Sequence, residues 1–387
     1  MSDKSGFDAV FVGGGVIGLA CAWRAAQGGA EVVVVERAER PHAGATGVAA
    51  GMLAPVGELS FGEPELLRLS LESAALWPDF AAALEDASGR PSTYVRCGAL
   101  HVALDRDEAA QLRRRHELQR SLGLEAEWLA PRACRELEPG LSPSFNGGVH
   151  APSEAAVDPR ALTLALLVAL ERSGVEVRSG REVVDGLWDG ERLAGVRTAG
   201  GEEGEAELRG DAVVLCNGAW SGTTGWLPEA ARPPVRPVKG EVLELRVRPG
   251  HEPPAAGIVC SERVYLVPRP DQRLIVGATV EERGFDTTVT AGGALELLRE
   301  AYRILPEVAE MELAGAIAGL RPGTPDNLPR IGPGAVEGLV LATGHFRNGI
   351  LLAPLTAELV AAQLAGVPAN RSSHLSGEQE EQLEEAR

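Results

Sequence analysis

The stretch from Phe7 to Glu36 leaves this chain few ways to begin folding. It reads F-D-A-V-F-V-G-G-G-V-I-G-L-A-C-A-W-R-A-A-Q-G-G-A-E-V-V-V-V-E: an apolar strand, a glycine turn, a helix from about Val16, and a second strand, Val32 to Val35. Gly13, Gly15 and Gly18 place G-x-G-x-x-G directly behind the first strand. There the glycines allow a tight turn, close approach of the backbone to a pyrophosphate, and close packing of helix on strand. The helix start offers unpaired amides and the positive end of its dipole to the phosphates. Glu36 ends the second strand, where a carboxylate can accept hydrogen bonds from both hydroxyls of an adenosine ribose. A 2′-phosphate would meet like charge at Glu36, which disfavours NADP and leaves FAD and NAD open. The glycines alone are weak evidence. Strand, helix and acid together point to a bound dinucleotide.

With 387 residues the chain exceeds one ordinary domain and suggests two. Its net charge of −18 disfavours nucleic acid and anionic membranes as partners. Cys21, Cys97, Cys134, Cys216 and Cys260 are scattered without C-x-x-C spacing and read as reduced thiols. The histidines never pair at helical spacing, so no metal site is expected. No signal-peptide pattern and no apolar run of about 18 residues is seen, so the expected location is cytoplasmic.

From Arg37 to Pro55 the chain is rich in small residues, as expected of backbone threaded beside a ligand. Helical patterns follow at Pro64–Leu84, Asp107–Leu122, Pro131–Pro139, 159–172, Ala291–Leu305 and Ile350–Leu364. The run Arg113–Arg115 reads as a solvated helix face, and Asp158-Pro159 as a helix start, with Asp158 the N-cap. Strands are expected within Tyr94–Leu104, at Gly148–His150 and Val175–Val177, in a meander over Asp185–Gly204, and at Asp211–Trp220, which ends in a glycine turn. More follow between Val235 and Ala278 and at Leu339–Ala342, with Leu320–Pro329 a proline-rich loop between. Nucleotide-fold segments (1–85, 149–222, 325–366) thus alternate with largely antiparallel ones (86–148, 223–324), and 367–387 forms an acidic tail. The chain leaves the nucleotide domain twice and returns twice, which places ligand chemistry at the seam.

The glycine fingerprint, A-A-G-M-L at Ala49–Leu53, L-R-P-G-T-P-D at Leu320–Asp326 and G-H-F-R-N-G-I-L-L-A-P at Gly344–Pro354 occur together. With these motifs the chain resembles the D-amino-acid oxidase family of flavoprotein amine oxidases, in its glycine-oxidase branch of thiamine (thiazole) biosynthesis. The resemblance extends to about Gly366 and implies an α/β (α+β) fold. A Rossmann-like FAD-binding domain of glutathione-reductase type would carry a discontinuous antiparallel-sheet substrate domain. It further implies one FAD, oxidation of a small amino acid by O2 with release of hydrogen peroxide, and a homotetramer. Arg321 matches the arginine that grips the substrate carboxylate, Tyr265 a pocket tyrosine, Arg347 a second active-site arginine and Met52 a methionine beside the flavin. Val16, Ile17, Glu36, Arg37, Ala45, Thr46, Ala50, Gly51 and Val183 match positions that touch FAD. So do His345, Phe346, Arg347, Asn348, Gly349, Ile350 and Leu351, and Asn217 and Gly218 are counted with them. Val48 departs from the small residue common in relatives and is expected to be tolerated. No cysteine follows Cys260 to tether the flavin, so FAD is expected to be non-covalent.

Hydride transfer from an α-carbon needs positioning more than a strong base. It does need a fixed carboxylate, and a guanidinium holds one bidentately where lysine cannot. The helix expected at Gly349-Ile350 would aim its positive end at the reduced flavin. His345 reads as a structural histidine in preference to an acid/base. Two other readings stay open: a D-amino-acid dehydrogenase that passes electrons to a quinone, and a non-catalytic flavin-binding subunit. Choice among glycine, sarcosine and small D-amino acids turns on ~1–3 kcal/mol per methyl group.

Overall fold

Four consecutive valines, Val32–Val35, are buried, so their strand must be covered on both faces. The computed structural model, which describes residues 6–367 except 42, 202 and 203, shows how. A first sheet runs in the order Arg330–Pro333, Leu339–Thr343, Ala206–Leu215, Phe7–Val12, Val32–Val35, Glu176–Arg178. All neighbours in it are parallel except the outermost pair, Arg330–Pro333 on Leu339–Thr343. Ala9 and Phe11 enter the core beneath the helices Val16–Gln27, Pro64–Ser88, Pro159–Arg172 and Ala353–Leu364. Val10 and Val12 face the other way and pack with Leu193, Val196 and Leu208. Those three belong to the meander Glu182–Asp189, Arg192–Ala199 and Ala206–Leu215. The arrangement is α/β and Rossmann-like.

A second sheet runs Glu312–Gly323, Arg236–Arg246, Arg273–Gly277, Tyr265–Pro268, Ile258–Cys260, Ala99–Val102, Gly148–Ala151, Glu127–Leu129. All but one of its pairings are antiparallel. The helix Ala291–Ile304 covers one face through Leu297, Ala301 and Ile304. The other face carries smaller residues, among them Ala99, Val242, Ile258 and Cys260, and turns toward Ala50 and Met52.

Two differences from the sequence reading bear on how the sheets meet. Gly148–Ala151, expected to open a nucleotide-fold segment, is a strand of the second sheet, because it pairs with Ala99–Val102 and Glu127–Leu129. The last helix begins at Ala353, not Ile350: residues 349–352 form a turn in which the Leu352 N–H donates to the Asn348 carbonyl at 2.8 Å. Pro354 then lies in the first helical turn, where its missing N–H costs nothing. The acidic tail from residue 368 lies outside the described residues.

Polar ties cross the seam between the sheets. Asp158 caps the helix Pro159–Arg172 by accepting the Arg160 and Ala161 N–H groups, and it also pairs with Arg273 of the second sheet. Arg160 donates to the Gly47 carbonyl at 3.1 Å and to Glu244 at 3.0 Å. Burial pushes the Asp158 carboxyl up, but Arg269 and Arg273 outweigh it and hold the carboxyl below the usual aspartate range. A carboxylate depressed in this way stabilises the fold fully above the unfolded value of ~3.9, and the contribution is lost as pH falls through the folded value. Asp158→Asn keeps a capping acceptor without the charge. It is expected to cost about 1–3 kcal/mol at neutral pH and to flatten the pH dependence of stability below ~pH 4. Urea titrations from acid to neutral pH check this; an unchanged acid slope would remove the ion pair from the account.

Candidate active site

A cavity of about 650 Å³ lies along the seam. At one end the fingerprint glycines show why no other residue serves. Gly13 has φ +119°, and a Cβ there would lie 2.4 Å from the Cys216 carbonyl oxygen. A Cβ at Gly18 would lie 1.9 Å from the Gly13 oxygen, so this glycine seats the helix against the turn and does not itself face the cavity. Gly15 does face it, and a Cβ there would meet only Thr46 Oγ1, at 3.3 Å. The Val16 N–H donates to that same oxygen at 3.1 Å. Glu36 accepts the Gly14 N–H at 2.6 Å on one oxygen and the Ala38 N–H at 2.9 Å on the other, so the carboxylate is fixed with lone pairs to spare.

The small-residue stretch after Glu36 forms the adjoining wall. Ala43 to Thr46 and Val48 to Met52 line the cavity. Gly51 has φ +70°, and a Cβ there would run into the Val157 carbonyl at 2.0 Å. Buried Arg269 braces this wall by donating to the carbonyls of Val157 and Ala50. Val48 packs against Gly319, where a Cβ would lie 3.0 Å from it, so the missing side chain makes room for the valine.

The other end holds Tyr265, Arg321 and Arg347. Arg321, expected in a loop, stands in the strand Glu312–Gly323 opposite Val238. The ladder continues through Pro322 because Pro322 faces Pro237 on an outermost strand, where neither residue is asked for an N–H. The Arg321 guanidinium lies over Gly240 and donates from Nη1 to the carbonyls of Thr279, at 3.0 Å, and Lys239, at 3.3 Å. A Cβ at Gly240 would come within 2.3 Å of it, and a Cβ at Gly277 within 2.4 Å of the Tyr265 hydroxyl. Each side chain therefore lies flat on a strand at a glycine. Burial lowers the Arg321 pKa, yet a guanidinium stays cationic. Burial raises the Tyr265 pKa against the pull of Arg321, so the phenol keeps its proton.

Arg347 sits on the turn after Leu339–Thr343, where Phe346 has φ +47° and donates its N–H to the Pro322 carbonyl at 2.9 Å. One hydrogen bond thus sets the two arginine-bearing segments against each other. His345 lies 2.9 Å, through Nε2, from Thr356 Oγ1, whose own hydrogen goes to the Leu352 carbonyl. The network assigns the imidazole proton to Nε2. Burial depresses the His345 pKa to about 3, so it is a neutral structural tie.

Residues 8–363 match the family described as "DAO: FAD dependent oxidoreductase". The chain belongs to that family. It is 37% identical to the bifunctional protein ThiO/ThiG of Nostoc sp., over 92% of this chain and 52% of that protein; it spans about half the length of such bifunctional relatives. It is 34% identical to the glycine oxidase of Geobacillus kaustophilus over 92% of each chain. The crystal structure of glycine oxidase from Geobacillus kaustophilus superposes with a TM-score of 0.86, over 96% of this chain and 98% of that one. A third relative, hydrogen cyanide synthase subunit HcnC of Pseudomonas aeruginosa, is 31% identical over 92% of this chain and 91% of its own.

As a DAO-family enzyme the protein uses FAD, and the residues present fit that group. The open face at Gly15 admits a pyrophosphate, Glu36 has free lone pairs for ribose, and the wall from Ala45 to Met52 leads toward the arginines. Of the residues expected from sequence, Ile17, Arg37, Val183, Asn217, Gly218, His345, Phe346, Gly349 and Ile350 also line the cavity. Gly18, Asn348 and Leu351 do not; the Leu351 carbonyl turns into the core, where it accepts from Ser73 Oγ and Trp77 Nε1. The regular helix starts beyond Gly349-Ile350, so that pair presents turn amides to the cavity in place of a full helix end. Among the described residues no His/Cys/Asp/Glu cluster could hold a metal ion. Sequence reading missed Glu58, His101 and Arg115, which also line the cavity. Arg113 and Arg114 are exposed as expected, but Arg115 turns inward.

Gly240→Ala tests the fit at Arg321. Its new methyl group meets the far end of a flexible side chain, so the fold and the flavin are expected to be retained. The displaced guanidinium is expected to weaken binding of a small carboxylate by roughly 10–100-fold, read from the perturbation of flavin absorbance. Unaltered carboxylate affinity would show that Arg321 is not the anion site.

Proposed function

We propose that the protein is a glycine oxidase. It would convert glycine, O2 and water to glyoxylate, ammonia and hydrogen peroxide, and also accept sarcosine and small D-amino acids. One observation carries the reading: Arg321, Tyr265 and Arg347 meet at one end of a cavity whose other end is a dinucleotide cradle. In this reading the first sheet and its helices bind FAD non-covalently, through Gly13, Gly15, Val16, Glu36, Thr46 and the turn from His345 to Ile350. The second sheet binds substrate. The names of the relatives, glycine oxidase and ThiO/ThiG, favour glycine as substrate and a place in thiamine biosynthesis. A cytoplasmic homotetramer is part of the same proposal.

FAD supplies a two-electron acceptor that O2 can reoxidise. The chain supplies the rest. Two carbonyls orient Arg321 while leaving most of its five N–H groups for a carboxylate, which it grips as a fork. Arg321 and Arg347 together disfavour an ammonium beside them, so the bound amino acid gives up its extra proton and keeps a nitrogen lone pair. That lone pair forms C=N as the α-C–H bond breaks. The protonated Tyr265 hydroxyl offers a donor to the same carboxylate.

Purified yellow protein, given glycine alone, is expected to consume O2 and release one peroxide per glyoxylate. Turnover only with an added quinone would mark a dehydrogenase. Inertness would favour a flavin-bearing subunit, the reading that the likeness to HcnC supports. Arg321→Leu is expected to raise KM for glycine at least 100-fold with flavin still bound, a loss of about 2.7 kcal/mol or more. Unchanged kinetics in that variant would overturn the assignment.

A further inference from the structure

Among the described residues no hydrogen bond or ion pair reaches the carboxylate of Glu58, although it is half-buried and lines the cavity. Its backbone, by contrast, is fixed on both sides. The Glu58 N–H donates to the Ala54 carbonyl at 3.1 Å, and the Val56 carbonyl accepts from Gln119 Nε2 at 2.8 Å. The Gly57 carbonyl accepts from Arg115 Nη1 at 3.3 Å, and the Gly57 N–H donates to buried Glu154. A Cβ on Gly57 would lie 2.0 Å from His101 Nε2, so this turn rests directly on the second sheet at His101. In the sheet register His101 is level with Cys260, and Cys260 with Tyr265. The three share one face, with Tyr265 two strands, or about 10 Å, from His101. Glu58 is thus held over the face that carries Tyr265, and its charge acts on Tyr265, Arg321 and Arg115.

The other charges around the cavity single this acid out. Glu36 is engaged by backbone N–H groups, and Glu182 follows Arg181, whose N–H donates to the Glu36 carbonyl, at the dinucleotide end. Glu262 is exposed and within reach of the Gln111 amide. Glu154 is buried behind Gly57, outside the cavity lining, with its second oxygen 3.9 Å from His101 Nε2. Arg115, Arg263, Arg321 and Arg347 face Glu58 as cations, and burial keeps the Cys260 thiol and the Tyr265 phenol protonated. An amino acid arrives here with its nitrogen as an ammonium. Arg321 takes the carboxylate, but the nitrogen lone pair must be freed before C=N can form, and guanidiniums cannot take its proton. We propose that Glu58 receives the substrate ammonium and accepts its proton, which makes it a further catalytic residue of the oxidation. The inference rests on the amine-oxidase reading above. An N–H bond breaks and a carboxyl O–H forms on Glu58, leaving the lone pair on nitrogen. The α-C–H bond then breaks, its electron pair departs with the hydrogen, and the lone pair forms C=N. That hydride and the proton held by Glu58 together reduce O2 to hydrogen peroxide, and water adds across C=N to release glyoxylate and ammonium.

Glu58→Gln, assayed as the holoenzyme, keeps the shape of the side chain and removes the acceptor. At neutral pH it is expected to lower kcat/KM for glycine roughly 100-fold. Above neutrality its kcat/KM is expected to climb about tenfold per pH unit, because the amine must then arrive already deprotonated, while the wild-type profile stays nearly level. Glycolate, which offers the same carboxylate and no ammonium, separates this role from a structural one. Its affinity for Glu58→Gln, read from the perturbation of flavin absorbance, is expected to stay within about threefold of wild type or to tighten as a like charge is removed. A Glu58→Gln enzyme with wild-type glycine kinetics, with a level pH profile, or with glycolate affinity lost in step with kcat/KM overturns this inference and leaves the oxidase reading standing. A wild-type profile that climbs as steeply as the variant's does the same. Wild-type holoenzyme that makes no peroxide from glycine overturns both.

Discussion

An arginine that must stay free for a ligand has to be buried without a carboxylate beside it, and much of the second sheet answers that requirement. An acid against Arg321 would hold the guanidinium and neutralise it. Two backbone carbonyls, from Lys239 and Thr279, orient it and leave its charge intact. They can reach it because Gly240 brings the strand to its plane, as Gly277 does beneath Tyr265. The acids along this strand have other partners: fully buried Glu241 is tied to Lys239 at 2.8 Å and to Thr290, and Glu244 to Arg160. The Lys239–Glu241 pair therefore removes a competitor as well as satisfying itself, which is a better account of a buried ion pair than stability alone.

The second arginine depends on the first through the backbone. Phe346 donates its N–H to Pro322, the residue after Arg321, from a conformation with positive φ that a bulky residue rarely adopts. His345 and Thr356 then tie the turn to the last helix. The chain thus comes back from the second sheet, through Arg330–Pro333 and Leu339–Thr343, and lays the Arg347 turn against the strand it has just left. Placement of the site is in this sense a consequence of the double crossing between the sheets.

Much of this is legible in sequence where one local pattern decides the outcome. The Phe7–Glu36 unit is such a case, since buried valines, glycine spacing and a terminal acid all agree, and so is the Asp158 cap. What escaped depends on contacts distant in sequence. Leu320–Gly323 looks like a loop because prolines exclude strands in general, but Pro322 faces another proline on an outer strand. Gly148–Ala151 carries nothing that says which sheet it will join. Arg115 sits in a helix as charged as any solvated one, and only the docking of Gln119 on Val56 turns it inward. The glycines at 240 and 277 are equally silent, since their purpose is defined by side chains on other strands.

The net charge gains meaning only with the cavity in view. A chain with a charge of −18 repels small anions at long range, yet it concentrates guanidiniums in one recess with low-dielectric walls. Fields focus in such a recess, while exposed charges farther away than ~10 Å are screened at ordinary ionic strength. The acidic exterior therefore does little to keep an amino acid out once it reaches the mouth. What distinguishes one small ligand from another therefore lies inside, where Arg321 and Arg347 line the recess and neither is within ion-pair distance of a described carboxylate.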